Sequence, residues 1–381
     1  MIAYTQYLID GRVRLEAESL VRWGYQVFFL VPKAGDKPTS FELCGVKVQE
    51  LNTRQYNGKS KLRYALSYLL FSVLAFVTCT RLWMRERIGV VHVHNMPDFL
   101  VFAGLIPRLF GCKLILDVHD TMPETYGAKF GVAPRLLVFL LRCEERVSCW
   151  LAHRIIAVNH VQREALTSRG IPAGKIATVI TMPAFMASSR PSHEHQNGQT
   201  FKMVNHGTMA KRLGIDLIVT AAARLVHEIP GFELHIIGAG DDRDEFVRLV
   251  QSLGLVSHVH FHPCVPWDKL AERLEMMDVG IIGNRANVAT HLMLPLKLID
   301  YVTLGIPAIA PRLKTIEYYF GPDLVTFYEP ENIDSMVTAV VSLYRDTQRR
   351  QRQPHIAKSF LEKYRWDNPP NGLKELYDHL S

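Results

Sequence analysis

The stretch "HLMLPLKLIDYVTLGIP", residues 291–307, carries the end signals of a short helix that leads into a strand. Pro295 suits the first turn of a helix, because the N–H that proline lacks would have no partner there. Gly305 suits the left-handed residue that closes a helix, and Pro307 prevents its continuation. The run "PAIAP" that follows is typical of a short buried strand. The sequence therefore predicts a helix of about ten residues followed by a strand.

Apolar strands and helices alternate in this way along the whole chain. The strands of the first half are predicted at "QVFFLVP", "GVKVQEL", "VVHVH", "KLILDVH", "RIIAVN" and "ATVI". Those of the second half are predicted at "FKMVNHG", "FELHIIG", "VHFHPCV", "VGIIG", "PAIAP" and "LVTFY". Strands that are apolar on both faces and joined by helices form parallel sheets covered on both sides. The first strand, within Met1–Thr5, is short, which indicates a late-assigned start or a frayed sheet edge.

The predicted fold class is α/β, with two doubly wound, Rossmann-like parallel-sheet domains that face a cleft. A chain of 381 residues is too long for one core, so two domains are expected. The segment 184–200 is polar and rich in Ser, Pro and Gln, which is typical of a linker. We therefore expect an N-terminal domain at 1–183 and a C-terminal domain at 201–365.

Composition excludes several other classes of protein. The net charge of +7 is mild for this length, and basic and aromatic residues do not interleave, so nucleic acid is not an expected partner. The six cysteines form no C-x-x-C pair, which favours a reduced, cytoplasmic compartment. Charged residues come too early for a cleavable signal peptide.

One apolar segment, 64–80, has 17 residues without a charge and basic residues on both sides. A single membrane span needs about 20 apolar residues. Two interpretations remain open: a core helix of the first domain, or a helix at 59–87 that lies on an anionic membrane surface. A true crossing fits less well, because regular strand–helix alternation continues on both sides.

The helix that begins at Pro295 is the first candidate for ligand binding. Its free N-terminal amides could hold a pyrophosphate at Met293–Leu296, a stretch that includes Leu294 and Pro295. Asp300 lies about a turn and a half further along, a displacement that suits hydrogen bonds to a ribose diol. Lys297 lies on the same face, three residues before Asp300. The alternative is an ordinary surface Lys–Asp pair.

Two glycine-containing turns follow predicted strands of the second half. "VNHGTMAKRLGID" ends a strand at Gly207 and places Lys211 and Arg212 before a helix. A cation there could stabilise the charge of a leaving phosphate, with Arg212 favoured over Lys211. An exposed basic loop is the alternative. In "LHIIGAGDD", Gly238 permits close backbone approach, although a single G-x-G is weak evidence. Asn284 also follows a predicted strand.

Two patterns resemble metal sites, but ordinary helix and strand structure accounts for both. Asp242 and Asp244 have D-x-D spacing, but acidic residues are common at the start of a helix. His258, His260 and His262 alternate along one strand, with Cys264 next. No second cluster with ligand spacing accompanies them, so a half-exposed strand face is the better interpretation. We therefore predict no metal site.

Polar residues also follow strands of the first half. "LDVHD" places His119 at the end of a buried strand, where it could bond a sugar hydroxyl or a developing charge. A histidine satisfied within the core is the alternative. His94, Asn95 and Asp98 in "HVHNMPDF" are suited to sugar contacts, although Asp98 could instead cap the following helix.

Taken together, these motifs resemble family-four retaining glycosyltransferases of the GT-B fold, in particular bacterial members that assemble exopolysaccharides and lipid-linked oligosaccharides. "LIDGRVRLEAESLVRWGYQV" is similar to their Asp-x-Arg-Val-Arg-x-Glu-Ala opening. "HGTMAKRLGID" and "LPLKLIDYVTLGIPAIA" are similar to their donor-site loop and helix. The resemblance covers the whole chain in order.

The resemblance implies a role for each candidate residue. The second domain would bind a UDP- or GDP-sugar, with ribose at Asp300 and the base near Val265 in the loop 262–266. The predicted donor-binding set is Gly207, Lys211, Arg212, Gly238, Val265, Asn284, Leu294, Pro295, Lys297 and Asp300. The predicted acceptor-binding set in the first domain is Arg12, Arg14, His94, Asn95 and Asp98. The predicted catalytic set is His119, Arg212 and Asp300. A terminal helix at about 366–381 would pack back on the first domain.

Such enzymes generally need neither metal nor cofactor. Retention is usually explained by front-face attack, in which the leaving phosphate takes the acceptor proton. The acceptor would be a saccharide or polyprenyl-linked saccharide at the cytoplasmic face of the membrane, with the protein peripheral. Three departures from the family pattern stand out. Asp300 replaces a Glu, His291 or Leu292 stands where the other Glu is usual, and Asp10-Gly11-Arg12 replaces a Gly-Gly loop.

Two other function classes remain open. A sugar-nucleotide epimerase or hydrolase of the same architecture would need an acid/base pair, and the sequence offers only single histidines. A catalytically silent nucleotide-binding subunit is compatible with the missing first carboxylate.

Overall fold

Two units make up the chain in the computed structural model. Unit 1 comprises Met1–Thr181 and Arg365–Ser381, and unit 2 comprises Met182–Tyr364. The structure describes residues 1–56, 58, 60–131, 134–181, 200–265, 267–364 and 372–380. Apart from Thr200, the predicted linker 184–200 lies outside the described residues.

The elements follow one another in strand–helix alternation. As far as Thr178 they are α1 Gly11–Arg22, β1 Val27–Pro32, β2 Ser40–Leu43, β3 Val46–Leu51, α2 Lys61–Glu86, β4 Val90–His94, the 3₁₀ helix Asp98–Gly104, α3 Leu105–Leu109, β5 Lys113–Val118, α4 Met122–Phe130, α5 Arg135–Leu151, β6 Arg154–Ala157, α6 His160–Ser168 and β7 Ile176–Thr178. From Phe201 they are β8 Phe201–Thr208, the 3₁₀ turn Lys211–Leu213, α7 Ile215–Glu228, β9 Phe232–Ala239, α8 Arg243–Ser252, β10 Val259–His262, α9 Trp267–Leu274, β11 Val279–Ile281, α10 Val288–Leu292, α11 Leu296–Thr303, β12 Ala308–Pro311, α12 Lys314–Tyr319, β13 Val325–Tyr328, α13 Ile333–Arg345, α14 Thr347–Lys363 and α15 Leu373–Asp378.

The sheet of unit 1 is parallel except at one edge. Its strands have the orders β2-β3-β1 and β4-β5-β6-β7. Ile2 joins the two groups, because it forms parallel bridges with both Leu30 and Val93. The short first strand therefore lies in the middle of the sheet, where Ile2 is buried, and not at a frayed edge. Strands β1 to β3 lie on one side of Ile2, and β4 to β7 lie on the other. The switch point of a doubly wound sheet therefore lies between β1 and β4.

Strand β2 is the one strand of the described residues that the sequence pattern did not predict. It pairs antiparallel with β3. The connecting residues Cys44 and Gly45 have φ values of 50° and 79°. Positive φ at both positions is the mark of a two-residue hairpin turn whose twist matches its strands. The Cys-Gly pair was the available signal, but β2 is too short and too exposed to show an apolar pattern.

Apolar side chains of unit 1 cover both faces of its sheet. Along β5, Leu114 and Leu116 face the cluster that contains α2, the 3₁₀ helix and α5. Ile115 points the other way, into a cluster with α1 and α15. Alternation with a period of two explains why this strand is apolar throughout.

Unit 2 has a six-stranded, all-parallel sheet in the order β10-β9-β8-β11-β12-β13. Chain order reverses between β8 and β11, which is the switch point of a doubly wound nucleotide-binding fold. Ligands of such sheets bind beyond the carboxyl ends of the strands that flank this point. Residues after Thr208 and after Ile281 are therefore the ones to consider.

Helix α11 starts one residue later than the sequence predicts. Pro295 is extended, with ψ of 119°, and precedes the helix rather than forming its first turn. Gly305 has φ of +66°, as expected for the residue that closes a helix. The Ile306 N–H then donates to Tyr301 O at 2.8 Å, which satisfies a terminal carbonyl.

Helix α2 packs one side against the core of unit 1 and leaves the other side exposed, so both interpretations of residues 64–80 stay open. It buries only a narrow stripe, Phe71, Ala75 and Cys79. Seven large apolar side chains face outward: Leu62, Leu66, Leu69, Leu70, Val73, Val77 and Met84. Among the described residues, α2 is the helix long and apolar enough to cross a membrane by length and composition alone.

Candidate functional site

Glycines bring backbone segments unusually close at the carboxyl end of the unit 2 sheet. A Cβ on Gly238 would lie 2.0 Å from Gly207 O, and one on Gly214 would lie 1.8 Å from Gly283 O. Gly207 itself has φ of +102°, and the Lys297 side chain passes 3.7 Å from where its Cβ would stand. These positions accept only glycine, and the absence of side chains leaves the strand ends accessible to Lys297.

Lys297 is the cation at the centre of this edge. Its Nζ donates to Asn205 Oδ1 at 3.3 Å, and Asn205 is oriented by its own bond to Ile281 O at 2.7 Å. Burial, followed by the nearby charge of Arg212, lowers the Lys297 pKa to about 8, and Asp300 opposes this only partly. A negatively charged ligand beside Lys297 would stabilise its charged form and raise this pKa.

Asp300 lies beside Lys297 on α11 and is 7% exposed. Burial raises its pKa to about 7, against the opposing charge of Lys297. His206 Nε2 is 3.4 Å from Asp300 Oδ2, without the alignment of a hydrogen bond. Burial and then Lys297 lower the His206 pKa to about 3, so this ring is neutral at pH 7. The carboxylate therefore retains acceptor capacity for a ligand.

The two basic residues of the turn Lys211–Leu213 have different surroundings. Arg212 is half-buried and close enough to Lys297 to influence its pKa. Lys211 is exposed, and its Nζ pairs with Glu245 at 2.5 Å. The arrangement favours Arg212 over Lys211 as a phosphate contact, which is the preference that the sequence indicated.

The remaining predicted donor residues lie around the same edge. Asn284 is 1% exposed, and its Oδ1 is a buried acceptor without a partner in the described part of the chain. Leu294 and Pro295 are buried immediately before α11. The first hydrogen bonds of α11 run from the N–H groups of Leu298 and Ile299 to Pro295 O. The N–H groups of Leu296 and Lys297 come before them and have no acceptor within the helix.

Two other predicted features of unit 2 are placed as follows. Val265 is half-buried at the end of its loop, and the adjacent Pro266 lies outside the described residues. His291, one of the two residues that stand where the resemblance leads us to expect a carboxylate, accepts from Lys314 N–H through Nδ1 at 3.1 Å. The Thr315 hydroxyl also donates to His291 O, so this histidine holds the start of α12.

Neither metal-like pattern of unit 2 forms a convergent donor set. Asp242 accepts from Lys211 N–H at 2.9 Å, while Asp244 points outward with its side chain 83% exposed. His262 Nε2 lies 3.0 Å from Nδ1 of His235 on the neighbouring strand, and the His260 ring packs nearby. Among the described residues, the one group whose potential ligand atoms lie within 4.8 Å of one another is in unit 1.

In unit 1, Arg12 and Arg14 lie on the first turn of α1. Asp10 caps this helix by accepting from Arg12 N–H at 3.2 Å. The Arg14 guanidinium bonds Glu18 one turn later, at 3.0 Å. Arg12 Nε is buried without a hydrogen-bond partner among the described residues, which makes Arg12 the more available of the two donors.

Asn95 and Asp98 are buried and largely engaged with their own unit. Asn95 Nδ2 donates to Asp98 Oδ1 at 2.6 Å, and Asn95 Oδ1 accepts from His119 N–H at 2.7 Å. Pro97, not Asp98, is the residue that precedes the 3₁₀ helix. Asn95 therefore ties the loop after β4 to the loop after β5, and Asp98 holds Asn95 in place. The contact of either side chain with a sugar stays a prediction.

The strongest electrostatic feature of unit 1 surrounds Asp117 at the carboxyl end of β5. Its Oδ2 lies 2.9 Å from His94 Nδ1 and 2.8 Å from His119 Nε2. Burial opposes ionisation of Asp117, but His119 and hydrogen bonds from the histidines outweigh it, so its pKa falls well below the usual range. Burial and the neighbouring Asp117 raise the Glu16 pKa well above its usual range.

This cluster, Glu16, His94, Asp117 and His119, has the donor types of a metal site. A tetrahedral zinc with bonds of about 2.0–2.1 Å separates its ligand atoms by roughly 3.3 Å. Three of the atoms here lie 2.8–3.1 Å apart, which is the spacing of direct hydrogen bonds. We therefore describe the cluster as a hydrogen-bonded network.

Sequence reasoning missed Asp117, Glu16, Asn205 and His206. Asp117 had a usable signal, since it is an acid inside a strand that is otherwise apolar on both faces. Glu16 had one too, because it lies on the α1 face of Val13, Ala17 and Leu20, which are buried. Their mutual proximity had no signal, since α1 and β5 are about a hundred residues apart in sequence.

Comparisons with known proteins agree with the two-unit division. A "Glycosyl transferase 4-like domain" model matches residues 10–180, and a "Glycosyl transferases group 1" model matches residues 189–360. The GDP-mannose-dependent alpha-(1-6)-phosphatidylinositol monomannoside mannosyltransferase of Mycolicibacterium smegmatis is 24% identical over 172 residues. The match covers 44% of this chain and 45% of that protein, so it spans less than half the length of this relative.

Solved structures match over the whole chain. Sucrose-phosphate synthase from Thermosynechococcus elongatus has a TM-score of 0.77 at 16% identity and covers 100% of this chain and 98% of its own. HepE from Anabaena, in complex with UDP-glucose, has a TM-score of 0.70 at 13% identity, and the match covers 100% of this chain and 98% of the HepE chain. At such identities the likeness shows the fold. The two domain models and these structures together show that the chain belongs to the group 1 glycosyltransferases and has the GT-B fold, with two Rossmann-like domains.

Proposed function

We propose that the chain transfers a sugar, with retention of configuration, from a UDP- or GDP-sugar to a saccharide or lipid-linked saccharide at the cytoplasmic membrane face. Unit 2 binds the donor and unit 1 contributes acceptor contacts. The reaction needs no metal and no cofactor. Within this proposal Lys297 and Arg212 contact the diphosphate, and Asp300 accepts from the ribose.

The observation that carries the proposal is the charge at the carboxyl end of the unit 2 sheet. Two cations, Lys297 and Arg212, lie near one buried acid, and burial, followed by the charge of Arg212, lowers the Lys297 pKa to about 8. The α11 amides add partial positive charge at the same edge. A diphosphate would supply the missing negative charge, and its position at the switch point is the usual one for a nucleotide.

Retention follows from front-face attack in this proposal. The acceptor hydroxyl attacks the anomeric carbon on the side of the leaving group, the bond from that carbon to the phosphate oxygen breaks, and the hydroxyl proton passes to a phosphate oxygen. The guanidinium of Arg212 and the ammonium of Lys297 stabilise the charge that develops on the diphosphate. Neither a protein nucleophile nor a separate base is required.

A donor screen tests the proposal directly. The relatives' names make GDP-mannose and UDP-glucose the first donors to use. Purified chain is incubated with each donor and bacterial membrane extract, and the product's anomeric configuration is read by NMR. We expect transfer from one donor, an α-linked product from an α-linked donor, and full activity in EDTA. Inversion, or activity lost in EDTA and restored by magnesium, would contradict the corresponding part of the proposal.

Omitting the acceptor separates the alternatives. An epimerase or hydrolase consumes the nucleotide sugar without acceptor, whereas a transferase turns over slowly or not at all. A silent nucleotide-binding subunit is compatible with the missing first carboxylate, since His291 or Leu292 stands where we expect it and His291 holds the start of α12. Tight binding of UDP or GDP with no product from any donor would favour that subunit over the enzyme.

The outer face of unit 1 supports the membrane part of the proposal. Like α2, helix α5 exposes large apolar side chains. It buries Glu145, Ser148, Cys149 and Leu151, while its outward large residues are Leu136, Phe139, Leu140, Val147 and Trp150. Both helices pack against the same 3₁₀ helix, whose Phe102 is 37% exposed. An apolar surface spanning two helices is larger than scattered exposed residues explain.

Charge around this surface favours an anionic bilayer over a neutral protein partner. Exposed basic residues flank the apolar faces of both helices: Lys61, Arg63, Arg81, Arg85, Arg87, Arg135, Arg142 and Arg146. Aliphatic and aromatic side chains with basic neighbours are typical of helices that lie on anionic lipid.

Vesicle co-sedimentation tests this surface. The variant carries Leu66→Gln, Leu69→Gln and Val73→Thr, and the control changes three exposed apolar residues of unit 2: Val256→Thr, Met276→Gln and Val288→Thr. On phosphatidylcholine–phosphatidylglycerol vesicles we expect the first variant to bind at least about tenfold more weakly, since each exposed aliphatic side chain contributes roughly 1 kcal/mol or more. Equal binding by both variants would contradict the assignment.

A further inference from the structure

Four carboxyl groups of unit 1 lie around one half-buried guanidinium, that of Arg169. This residue follows α6, and its guanidinium bonds Glu145 of α5 at 2.7 Å and Glu124 of α4 at 2.8 Å. The other two acids are Asp98, at the start of the 3₁₀ helix, and Glu144 of α5. Within the part of the chain that the structure describes, these two have no cation partner.

Asp98 and Glu144 each use one carboxyl oxygen and leave the other without a partner. Asp98 Oδ1 accepts from Asn95 Nδ2 at 2.6 Å, and Glu144 Oε1 accepts from Phe99 N–H at 2.6 Å. Asp98 Oδ2 and Glu144 Oε2 are buried and have no hydrogen-bond partner among the described residues. An ionised carboxylate that has lost its water needs donors or a cation in exchange, so ionising both acids together would be costly.

The pair therefore retains at least one proton at pH 7. Burial, followed by the charge of Glu144, raises the Asp98 pKa well above its usual range. Burial raises the Glu144 pKa to about 7, against the opposing bond from Phe99 N–H. Because the two groups interact, their protons belong to the pair rather than to either acid.

The other groups around the pair do not replace this proton. Residues of α2, β4 and β5 pack with the 3₁₀ helix in one apolar cluster. Burial and then Asp98 raise the pKa of the Cys149 thiol, which is therefore neutral. The charged and titratable groups that surround the pair are Glu124 of α4, Arg142, Glu145 and Cys149 of α5, and Arg169. The half-buried cation of this group is already bonded to two acids.

Asp98 also holds the amide by which Asn95 connects two loops. Asn95 Oδ1 accepts from His119 N–H at 2.7 Å, and Asn95 Nδ2 donates both to Asp120 O at 2.7 Å and to Asp98. The orientation of this amide is fixed by its partners on both sides. A displacement of Asp98 would remove one of them and loosen the hold of Asn95 on the loop after β5.

We propose that a proton retained by Asp98 and Glu144 keeps the 3₁₀ helix against α5, and that Asp98 acts through Asn95 as a positioning residue for the loop that carries His119. When both acids ionise at alkaline pH, they repel each other and Asn95 loses its fixed orientation. The positioning part of this inference rests on the proposed transferase function, whereas the proton part does not.

Unfolding of the full chain by urea, from about pH 5 to pH 8, tests the proton. Asp98→Asn and Glu144→Gln keep the shape of the side chains and cannot ionise, and Glu42→Gln, which removes an exposed acid of unit 1, is the control. In the unfolded chain both acids ionise at about pH 4. The folded pair keeps its proton to higher pH, so the unmodified chain loses stability as pH rises through this window.

Glu144→Gln should therefore become more stable than the unmodified chain as pH rises. The ratio of the two unfolding constants should approach about a tenfold change per pH unit up to about pH 7, and Glu42→Gln should show no such trend. A ratio that does not change with pH, or Asp98→Asn and Glu144→Gln both less stable than the unmodified chain at pH 8, would overturn the retained proton.

Infrared spectroscopy reports the proton without unfolding. At pH 7 the carbonyl band of protonated carboxyl groups should be weaker in the double variant Asp98→Asn, Glu144→Gln than in the unmodified chain. An equally strong band would overturn the retained proton.

Turnover tests the positioning role. With the donor found active in the screen held at saturation, kcat/KM for the acceptor should fall between pH 7 and pH 9 in the unmodified chain by about 3- to 10-fold more than in Asp98→Asn, the equivalent of one hydrogen bond. Asn95→Ala should lower it at every pH, and UDP or GDP affinity, which depends on unit 2, should not change. The same alkaline decline in Asp98→Asn and the unmodified chain would overturn the positioning role and leave the retained proton and the transferase function standing.

Discussion

Asp117 and Asp300 are both buried acids at the carboxyl end of a parallel sheet, one in unit 1 and one in unit 2. Asp117 is surrounded by histidine N–H groups of its own unit, and its pKa lies well below the usual range. Asp300 lacks such donors among the described residues, and burial raises its pKa to about 7. The same residue type thus has two histidine partners at Oδ2 in unit 1, although Asp117 Oδ1 has no hydrogen-bond partner among the described residues, and it has no comparable donors in the described part of unit 2. Within the proposed function, the Asp300 carboxylate would accept hydrogen bonds from a ligand, whereas the Asp117 carboxylate accepts them from its own unit.

The largest expected effect is on stability, and it separates the two acids. Asp117→Ala leaves two buried N–H groups without an acceptor, each costing roughly 1–3 kcal/mol, so we expect the free energy of unfolding to fall by about 3 kcal/mol or more. Asp300→Ala is the matched control. At pH 8 the raised pKa of Asp300 means that the fold disfavours its charge, so its removal should be neutral or stabilising. Chemical denaturation measures the free energy of unfolding of both variants. A similar loss in the two would contradict the difference between Asp117 and Asp300.

The next effect is on anion binding, through Lys297. Lys297→Ala removes the central cation of the unit 2 edge, so both UDP and inorganic pyrophosphate should bind about 2–3 kcal/mol more weakly, the usual value for charged hydrogen bonds. Calorimetry measures the affinities. Arg248→Ala, which removes one exposed positive charge from α8, is the control for net charge. If the two variants lost affinity equally, Lys297 would not be a phosphate ligand.

Asp300→Ala tests whether Asp300 contacts the ribose of the nucleotide. We expect it to weaken UDP binding by about 2 kcal/mol, because charged hydrogen bonds to the ribose are lost. Pyrophosphate, which has no ribose, should bind as well as before or better, since a nearby negative charge is gone. Calorimetry with both ligands separates the two contributions. Unchanged UDP affinity would count against the ribose contact.

The smallest effect is on the pH dependence of UDP binding. Lys297 must be protonated to bind phosphate, so affinity should fall as pH rises above about 8. Asp300 must be ionised to accept from ribose, so affinity should also fall as pH drops below about 7. Each limb approaches about tenfold per pH unit. Lys297→Ala should lose the alkaline limb and Asp300→Ala the acidic one; a profile identical in all three proteins would contradict both assignments.

Much of the fold could be predicted from the sequence, because its signals are local. Apolar runs of four to eight residues bounded by Gly, Pro or polar residues located the parallel strands. Pro295 and Gly305 located α11 to within one residue at its start. Strand β2 was missed because its pairing depends on β3 and a two-residue turn, and not on an apolar pattern of its own.

The candidate site could be predicted only in part. Gly207, Lys297 and Asp300 follow the switch point of unit 2, and the rule for parallel sheets places them at one edge. The shared acceptor of His94 and His119 could not be predicted, because it requires β4 and β5 to pair in a particular register, with His94 opposite Asp117. The outward face of α2 could not be predicted either. A helix that is apolar on all sides has no periodic pattern to indicate which side packs against the core.

The sequence by itself determined which segments become the parallel strands, which turns need glycine, and which polar residues follow strand ends, because these depend on residues adjacent in the chain. The tertiary structure alone decided which of the buried acids has partners. That depends on how distant strands are aligned across the sheet, and on burial, which sets whether a charge is stabilised by neighbouring N–H groups, as for Asp117, or penalised, as for Asp300.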